Sequence, residues 1–296
     1  MGYFQPTRVA EVYPAVFELA QDGFEVAHLC ENLNVSRSGY YAWLDSSETV
    51  YQQQDQRLQP LVQNVFLQHR RRYGARRISK ELIAQGESCG RGKARKIMEQ
   101  MQLTAIQPRS FKPRTTNSQH KLGYNANLLM EGIEVDVINQ VWVGDITYIP
   151  LPSSFAYMAV LMDLFSRKII GWKLDTNMAE PLVIDAIGQA IKARQPPVGL
   201  IHHSDRGGQY AGAKYRKILQ RAKMLQSMSR AADCYDNAFM ESCFGTIKTE
   251  LEMTTYDSFQ KADEEIREYI NYYNSIRRHS AIDYLSPTSF ELTLRK

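Results

Sequence analysis

Cysteine is scarce and scattered: Cys30, Cys89, Cys234 and Cys243 are far apart and form no Cys-x-x-Cys pair. That argues against a zinc module or a disulfide framework and suits a reducing cytosol. Long apolar runs are missing as well. The longest, Phe155 to Met162, is far too short to span a bilayer. Glu11, Glu18, Asp22 and Glu25 interrupt the apolar positions of the first 30 residues, so a secretory signal is not expected. No repeat of solenoid length recurs. There is no Gly-x-x-x-x-Gly-Lys loop for a nucleotide and no Gly-x-Ser-x-Gly elbow or Cys/His pair for a protein nucleophile.

A large net charge is also lacking. Over 296 residues, 36 basic side chains face 32 acidic ones, for +4. The average hides an uneven distribution. Residues 1–55 carry net −6, residues 56–121 carry +12 and residues 122–296 carry −2. A basic block this dense, interleaved with packable helices, points to a polyanion partner.

Residues 9–45 read as helices. Val9, Val12, Val16, Leu19 and Ala20 make a helical stripe that breaks near Asp22-Gly23, and Val26, Leu29, Cys30 and Leu33 make a second. A Ser36-led aromatic segment follows. The outline is that of a helix-turn-helix, or equally of a plain three-helix packing module, since the stretch is acidic. The basic block then opens with a helix over about 55–69. It continues through Arg70-Arg71-Arg72-Tyr73-Gly74-Ala75-Arg76-Arg77, a second helix to Gly86, and a third that begins with Lys93, Arg95 and Lys96. Five arginines within eight residues form a phosphate-seeking surface. Residues 107–127 lack apolar periodicity and read as a basic linker.

Beyond it the texture turns to strands. Val141 to Ile149, Phe155 to Met162 and Lys168 to Asp175 are β-rich and joined by turns short enough for hairpins. A helix (Pro181 to Arg194), a strand (Leu200 to Ser204), a helix (Ala213 to Ala222), a strand (Met224 to Ser229) and helices over about 237–252 and 258–276 complete the order. Three antiparallel strands followed by alternating helix and strand is the order of a ribonuclease-H-like α/β fold. The division expected is 1–55 helical, 56–106 basic helical and DNA-binding, 107–127 linker, 128–255 catalytic core, and 256–296 a helix and tail packed on that core.

Within the core, Asp145 sits inside a strand, where aspartate is depleted and costly on a buried face. Asp205 ends an apolar strand before Arg206-Gly207-Gly208. Strand ends of this kind are where α/β sheets place ligands. Glu241 lies in the first turn of a helix, where the dipole favours a carboxylate. Two aspartates on neighbouring strands and a glutamate on a flanking helix can hold two hard divalent cations about 3.5–4 Å apart, the arrangement phosphoryl transfer uses. Asp163, Asp175, Asp233 and Asp236 are alternative acids, Asp163 the best of them.

Several blocks in order carry a resemblance: Trp142-x-x-Asp145-Ile-Thr-Tyr148, Asp163 to Trp172, His203-Ser-Asp205-Arg-Gly-Gly-Gln-Tyr210, and Asp236-Asn-Ala-Phe-Met-Glu241 through Lys248. They resemble the second-reading-frame (OrfB) transposases of the IS three insertion-sequence family, whose core is similar to retroviral integrase. Thirty-five residues separate Asp205 from Glu241, as this DDE class shows, and Lys248 follows seven residues later on the same helical face. Ser36 to Trp43, Tyr73 to Ile78, Asn274 to His279 and Tyr284 to Pro287 resemble other parts of the same proteins. Gly144 and Gly208 depart from the family's usual Thr and Ser.

The resemblance implies that Asp145, Asp205 and Glu241 ligate two Mg2+ ions, with Mn2+ able to substitute, in a polynucleotidyl transferase. This enzyme would cleave DNA at element ends and join the freed 3′-hydroxyl to a target. Lys248 would contact DNA near the scissile phosphate, and Arg70, Arg71, Arg72, Arg76, Arg77, Lys93, Arg95 and Lys96 would grip it elsewhere. His203 is either a partner behind the site or strand packing. Gln209 and Asn237 either bind substrate or support a turn and a helix start. Further implications are a homo-oligomer on DNA, an upstream-frame protein or frameshift fusion as partner, and a cytoplasmic, nucleoid-associated location without a membrane. A nuclease that stops at hydrolysis and a non-enzymatic DNA-binding accessory are the competing functions.

Overall fold

The computed structural model describes residues 9–45, 50–107, 124–230, 238–253 and 255–294. Three helices open it: α1 (Val9–Gln21), α2 (Val26–Asn32) and α3 (Arg37–Leu44). They enclose a small core of Val12, Val16, Cys30 and Tyr40. Ser36 caps α3, its hydroxyl accepting from Gly39 N at 3.3 Å, which satisfies one of the N–H groups a helix start leaves open.

The basic block folds as α4 (Val50–Gln68), α5 (Ala75–Ala84) and α6 (Arg91–Gln100) around Leu58, Val62, Phe66, Tyr73, Ile78, Leu82 and Ile97. Gly86, at φ +89°, makes the left-handed stop after α5 that a β-carbon would strain. Tyr272, far along the chain, packs against this same cluster, so the basic module is docked rather than tethered.

The remainder is a five-stranded sheet with helices on both faces. Strands β1 (Val141–Leu151), β2 (Ser154–Asp163) and β3 (Ile169–Asp175) form an antiparallel meander. After α7 (Glu180–Arg194) come β4 (Ile201–Ser204), α8 (Gly208–Ala211), α9 (Ala213–Arg221) and β5 (Leu225–Met228), and then α10 (Ala238–Glu250), α11 (Phe259–Ser275) and α12 (Pro287–Thr293). The spatial order is β3-β2-β1-β4-β5, with β4 parallel to both β1 and β5. This is the ribonuclease-H-like order expected from the sequence. The short helices α8 and α12 and the 3-10 turn at Leu128–Glu131 were not expected.

Strand alternation divides the core in two. Val141, Val143 and Ile149 of β1 face α10 and α11 with Met240, Phe244, Ile247, Ile266 and Tyr269. Trp142 turns to the opposite face, against Leu182, Ala186, Tyr210 and Tyr215. Gly171 on β3 allows close approach of α7, because a β-carbon there would fall 2.3 Å from the Ala186 carbonyl oxygen. Among the described residues no disulfide forms, Cys30, Cys89 and Cys243 are buried thiols, and no helix is long and apolar enough to cross a membrane.

Candidate active site

One register builds the candidate site. On the parallel pair, Val143 aligns with His203 and Gly144 with Ser204, so Asp145 on β1 and Asp205, just past the end of β4, directly follow the last aligned pair. Neighbouring strands lie about 4.8 Å apart, which brings the two carboxylates to one strand end. Asp145 shares the parity of Val141 and Val143 and therefore belongs to the face that α10 covers. Both aspartates are half-buried. Each holds a backbone N–H: Ile146 N donates to Asp145 Oδ1 at 2.7 Å and Gly207 N to Asp205 Oδ1 at 2.9 Å. Gly207 makes room for this turn, since a β-carbon would meet Asp205 Oδ1 and Gln209 Oε1 at 3.0 Å.

Tyr210 stands behind the pair, 1% exposed. Its hydroxyl has no hydrogen-bond partner among the described residues. Burial raises its pKa well above the ordinary value, and the charges of Tyr215, Asp145 and Asp205 raise it further. Tyr210 packs on the Trp142 face of the sheet, and nothing in the sequence block that carries Asp205 marks its hydroxyl as buried without a partner.

The third acid comes from α10. Met240, Cys243, Phe244 and Ile247 bury one side of this helix against the sheet and leave Glu241 exposed in its first turn. Two turns on, Lys248 is half-buried. Burial lowers its pKa and the Asp145 carboxylate opposes that, so the lysine sits within electrostatic reach of the aspartate. The helix thus brings the face shared by Glu241 and Lys248 toward Asp145. Among the described residues, no three Asp, Glu, His or Cys side chains converge as a metal cluster. Asn237, expected beside Glu241, lies outside the described residues. The donor chemistry of the aspartate pair fits a hard divalent cation: half-buried carboxylate oxygens at one strand end.

The supporting residues separate by environment. His203 is fully buried, with Nδ1 2.8 Å from Ser227 Oγ and Nε2 3.3 Å from Ser229 Oγ, which is packing between β4 and β5. Gln209 donates to Met178 O at 2.9 Å and ties its turn to the segment before α7. Asp163, the best alternative acid, is spent on structure: it accepts from Asn139 N at 2.7 Å, Ser166 N at 2.9 Å, and Phe165 N and Ser166 Oγ at 3.1 Å.

The basic residues divide in the same way. Arg70, Arg71, Arg76, Arg95 and Lys96 are exposed. Arg70 meets Glu268 at 2.6 Å, Arg95 meets Glu99 at 2.7 Å and Lys96 meets Asp55 at 2.9 Å, while Lys93, less exposed, also reaches Asp55 at 3.0 Å. Arg72 and Arg77 instead turn inward. Arg72 Nε donates to Glu250 O at 3.0 Å with its guanidinium about 5 Å over Tyr269 and Tyr272, and Arg77 reaches Glu250 Oε1 at 3.3 Å. The sequence expected both on DNA; the structure commits both to the core.

Comparison with known proteins agrees with this architecture. A model described as integrase core domain matches residues 138–234, a second so described matches 222–287, and a model described as HTH-like domain matches 53–111. The HTH-like match falls on the basic module rather than on α1 to α3. The chain is 38% identical over 264 residues to the IS600 uncharacterized 31 kDa protein of Shigella sonnei, covering 88% of this chain and 97% of that one. It is 39% identical to the transposase for IS904 of Lactococcus lactis, covering 78% and 91%. Against transposase InsF for insertion sequence IS3A of Escherichia coli it is 36% identical, covering 93% and 96%. Among solved structures, the HTLV-2 integrase catalytic core domain in complex with magnesium superposes with a TM-score of 0.42 at 16% identity, covering 51% of this chain and 95% of that one.

Proposed function

The chain belongs to the transposases of IS3-type insertion sequences, which carry an integrase core, and on that premise we propose that it cleaves DNA at element ends and joins the freed 3′-hydroxyl to a target. The observation that carries this is the placement of Asp145 and Asp205 as consecutive extensions of one paired register, with Lys248 of α10 facing Asp145. Asp145, Asp205 and Glu241 are the residues that would hold two magnesium ions. Bound there, the ions would supply Lewis acidity to both the attacking and the leaving oxygens.

The protein side of the chemistry is positioning. Backbone N–H groups of Ile146 and Gly207 fix the rotamers of the two aspartates. Lys248, poorly hydrated and facing the site, pairs with a DNA phosphate next to the scissile bond. In cleavage, water displaces the 3′-oxygen of the element from its flanking phosphodiester. In joining, that 3′-hydroxyl attacks a target phosphodiester, a new P–O bond forms and the target's own 3′-oxygen leaves. The exposed Arg70, Arg71, Arg76, Arg95 and Lys96, with Lys93 behind them, track the DNA backbone. Their surface ion pairs are weak enough to exchange for phosphates.

A pre-cut element end incubated with target duplex and Mg2+ tests this. Wild-type protein yields joined product and Glu241→Gln yields none. Cleavage of an uncut end by the wild type without joining of the pre-cut one would make the enzyme a nuclease, and undiminished joining by Glu241→Gln would remove Glu241 from the site.

A further inference from the structure

Two arginines of the basic module, together with Arg277, converge on the far end of the helix that bears Glu241. Glu250 is the last residue of α10 and 6% exposed. Arg277, 2% exposed, donates Nε to both of its carboxylate oxygens at 2.9 Å and its NH2 group to Oε1 at 2.7 Å. Tyr269 Oη donates to Oε2 at 3.0 Å and Arg77 to Oε1 at 3.3 Å. Arg72 takes the backbone carbonyl of the same residue, one of the orphan acceptors at a helix C-terminus. Three guanidinium groups thus meet the negative end of the α10 dipole.

The surrounding contacts make this a docking joint rather than an isolated pair. His69 stacks on Tyr73 with ring centroids 3.7 Å apart and lies 3.0 Å from Tyr272 Oη. Arg278 N donates to Tyr73 Oη at 2.7 Å, and Arg278 Nε to Glu81 Oε2 at 2.5 Å. The hydrogen bonds that cross from the basic module join residues 173 to 205 apart in sequence, so the joint fastens the DNA-binding module to the C-terminal helices of the core.

We propose that Glu250, Arg72 and Arg77 are positioning residues for strand joining. Their joint fixes the C-terminal end of α10 against the basic module and thereby sets where Glu241 and Lys248 meet the strand end of Asp145. An α-helix is stiff over the nine residues, about 13 Å, that separate Glu241 from Glu250, so a displaced end displaces the other. The inference rests on the strand-joining function proposed above. It assigns to Arg72 and Arg77 a role in rate rather than in DNA affinity.

The test uses full-length protein and a pre-cut DNA end. Arg77→Met keeps the aliphatic stem and removes the charge at the most accessible edge of the joint. Arg72→Met does the same over the Tyr269 and Tyr272 rings. The expected result is a joining rate at saturating DNA lowered roughly tenfold or more, with half-saturating DNA within about twofold of wild type. A merely structural role would not couple to the site, so each is combined with Lys248→Ala. If the joint acts through α10, the losses are non-additive, the second substitution costing far less in the background of the first. Additive losses overturn the inference, as does a loss confined to DNA affinity. Full joining by both methionine variants while Glu241→Gln is inactive overturns only this inference. Undiminished joining by Glu241→Gln overturns the underlying function as well.

Discussion

Gly144 on β1 pairs with Ser204 on β4, and this single alignment sets the candidate site, because Asp145 follows on β1 and Asp205 follows the last residue of β4. A slip of one residue would turn Asp145 to the opposite face of the sheet and separate the pair. The alignment is held by buried neighbours on both sides, among them Val143, His203 and Trp142.

From this geometry, divalent metal should stabilise the protein through the aspartates. Thermal melting with Mg2+ at about 100 times its dissociation constant should show a gain of about 2.7 kcal/mol for the wild type. Asp145→Asn and Asp205→Asn should lose most of that gain while melting normally without metal. Equal metal-induced shifts in all three proteins would place the cation elsewhere.

The exposed and inward-facing arginines should separate in salt titrations of DNA binding. Arg76→Ala removes one exposed cation and should lower the slope of log K against log salt by about 0.9. Arg77→Met should leave the slope unchanged, because its guanidinium is held by Glu250. A slope change for Arg77→Met as large as for Arg76→Ala would contradict its assignment to the joint.

Acid should destabilise the fold through buried histidines. Burial lowers His202 to about 4, and its ring is held between Trp142 O and Tyr215 Oη. Burial and the charges of Arg277, Arg167 and Arg77 lower His279 to about 3. In the unfolded chain both protonate near 6.5. The unfolded state therefore binds more protons below that pH, and stability is complete above it and falls as the pH drops toward 4. The His202 contribution alone is on the order of 3 kcal/mol. Urea unfolding at pH 7.5 and pH 4.5 checks this, and equal stability at the two values would be the contrary result.

Gly171→Ala should be costly although alanine is a small residue. The added carbon meets the backbone oxygen of Ala186, which cannot rotate away, so β3 and α7 must separate. A loss of about 3 kcal/mol is expected, lowering the melting midpoint by roughly 6–12 °C. An unchanged midpoint would show that α7 sits farther from the strand.

Much of the core was legible because its signals are local. The β-rich run Val141 to Ile149 marks a strand and makes the aspartate within it, Asp145, conspicuous before any fold is known. The seven-residue step from Glu241 to Lys248 likewise puts both on one side of a helix. What stayed hidden depends on distant partners. Arg72 and Arg77 look like their exposed neighbours in sequence, since a cation bound for DNA and one bound for Glu250 have the same local context. Glu250 itself reads as an ordinary helix acid until α11 brings Arg277 and Tyr269 to it. His203 follows the same logic: proximity in sequence to Asp205 made it a candidate, and the neighbouring β5 took its ring for Ser227 and Ser229.

Asp205→Cys is the sharpest probe of Asp205 as a metal ligand of a strand-joining centre. A thiolate is a poor ligand for hard Mg2+ and a better one for softer cations. Asp205→Cys should bind an element end normally, join it at least about 1000-fold more slowly than wild type in Mg2+, and recover measurable joining in Mn2+. Joining by Asp205→Cys at the wild-type rate in Mg2+ would contradict that assignment.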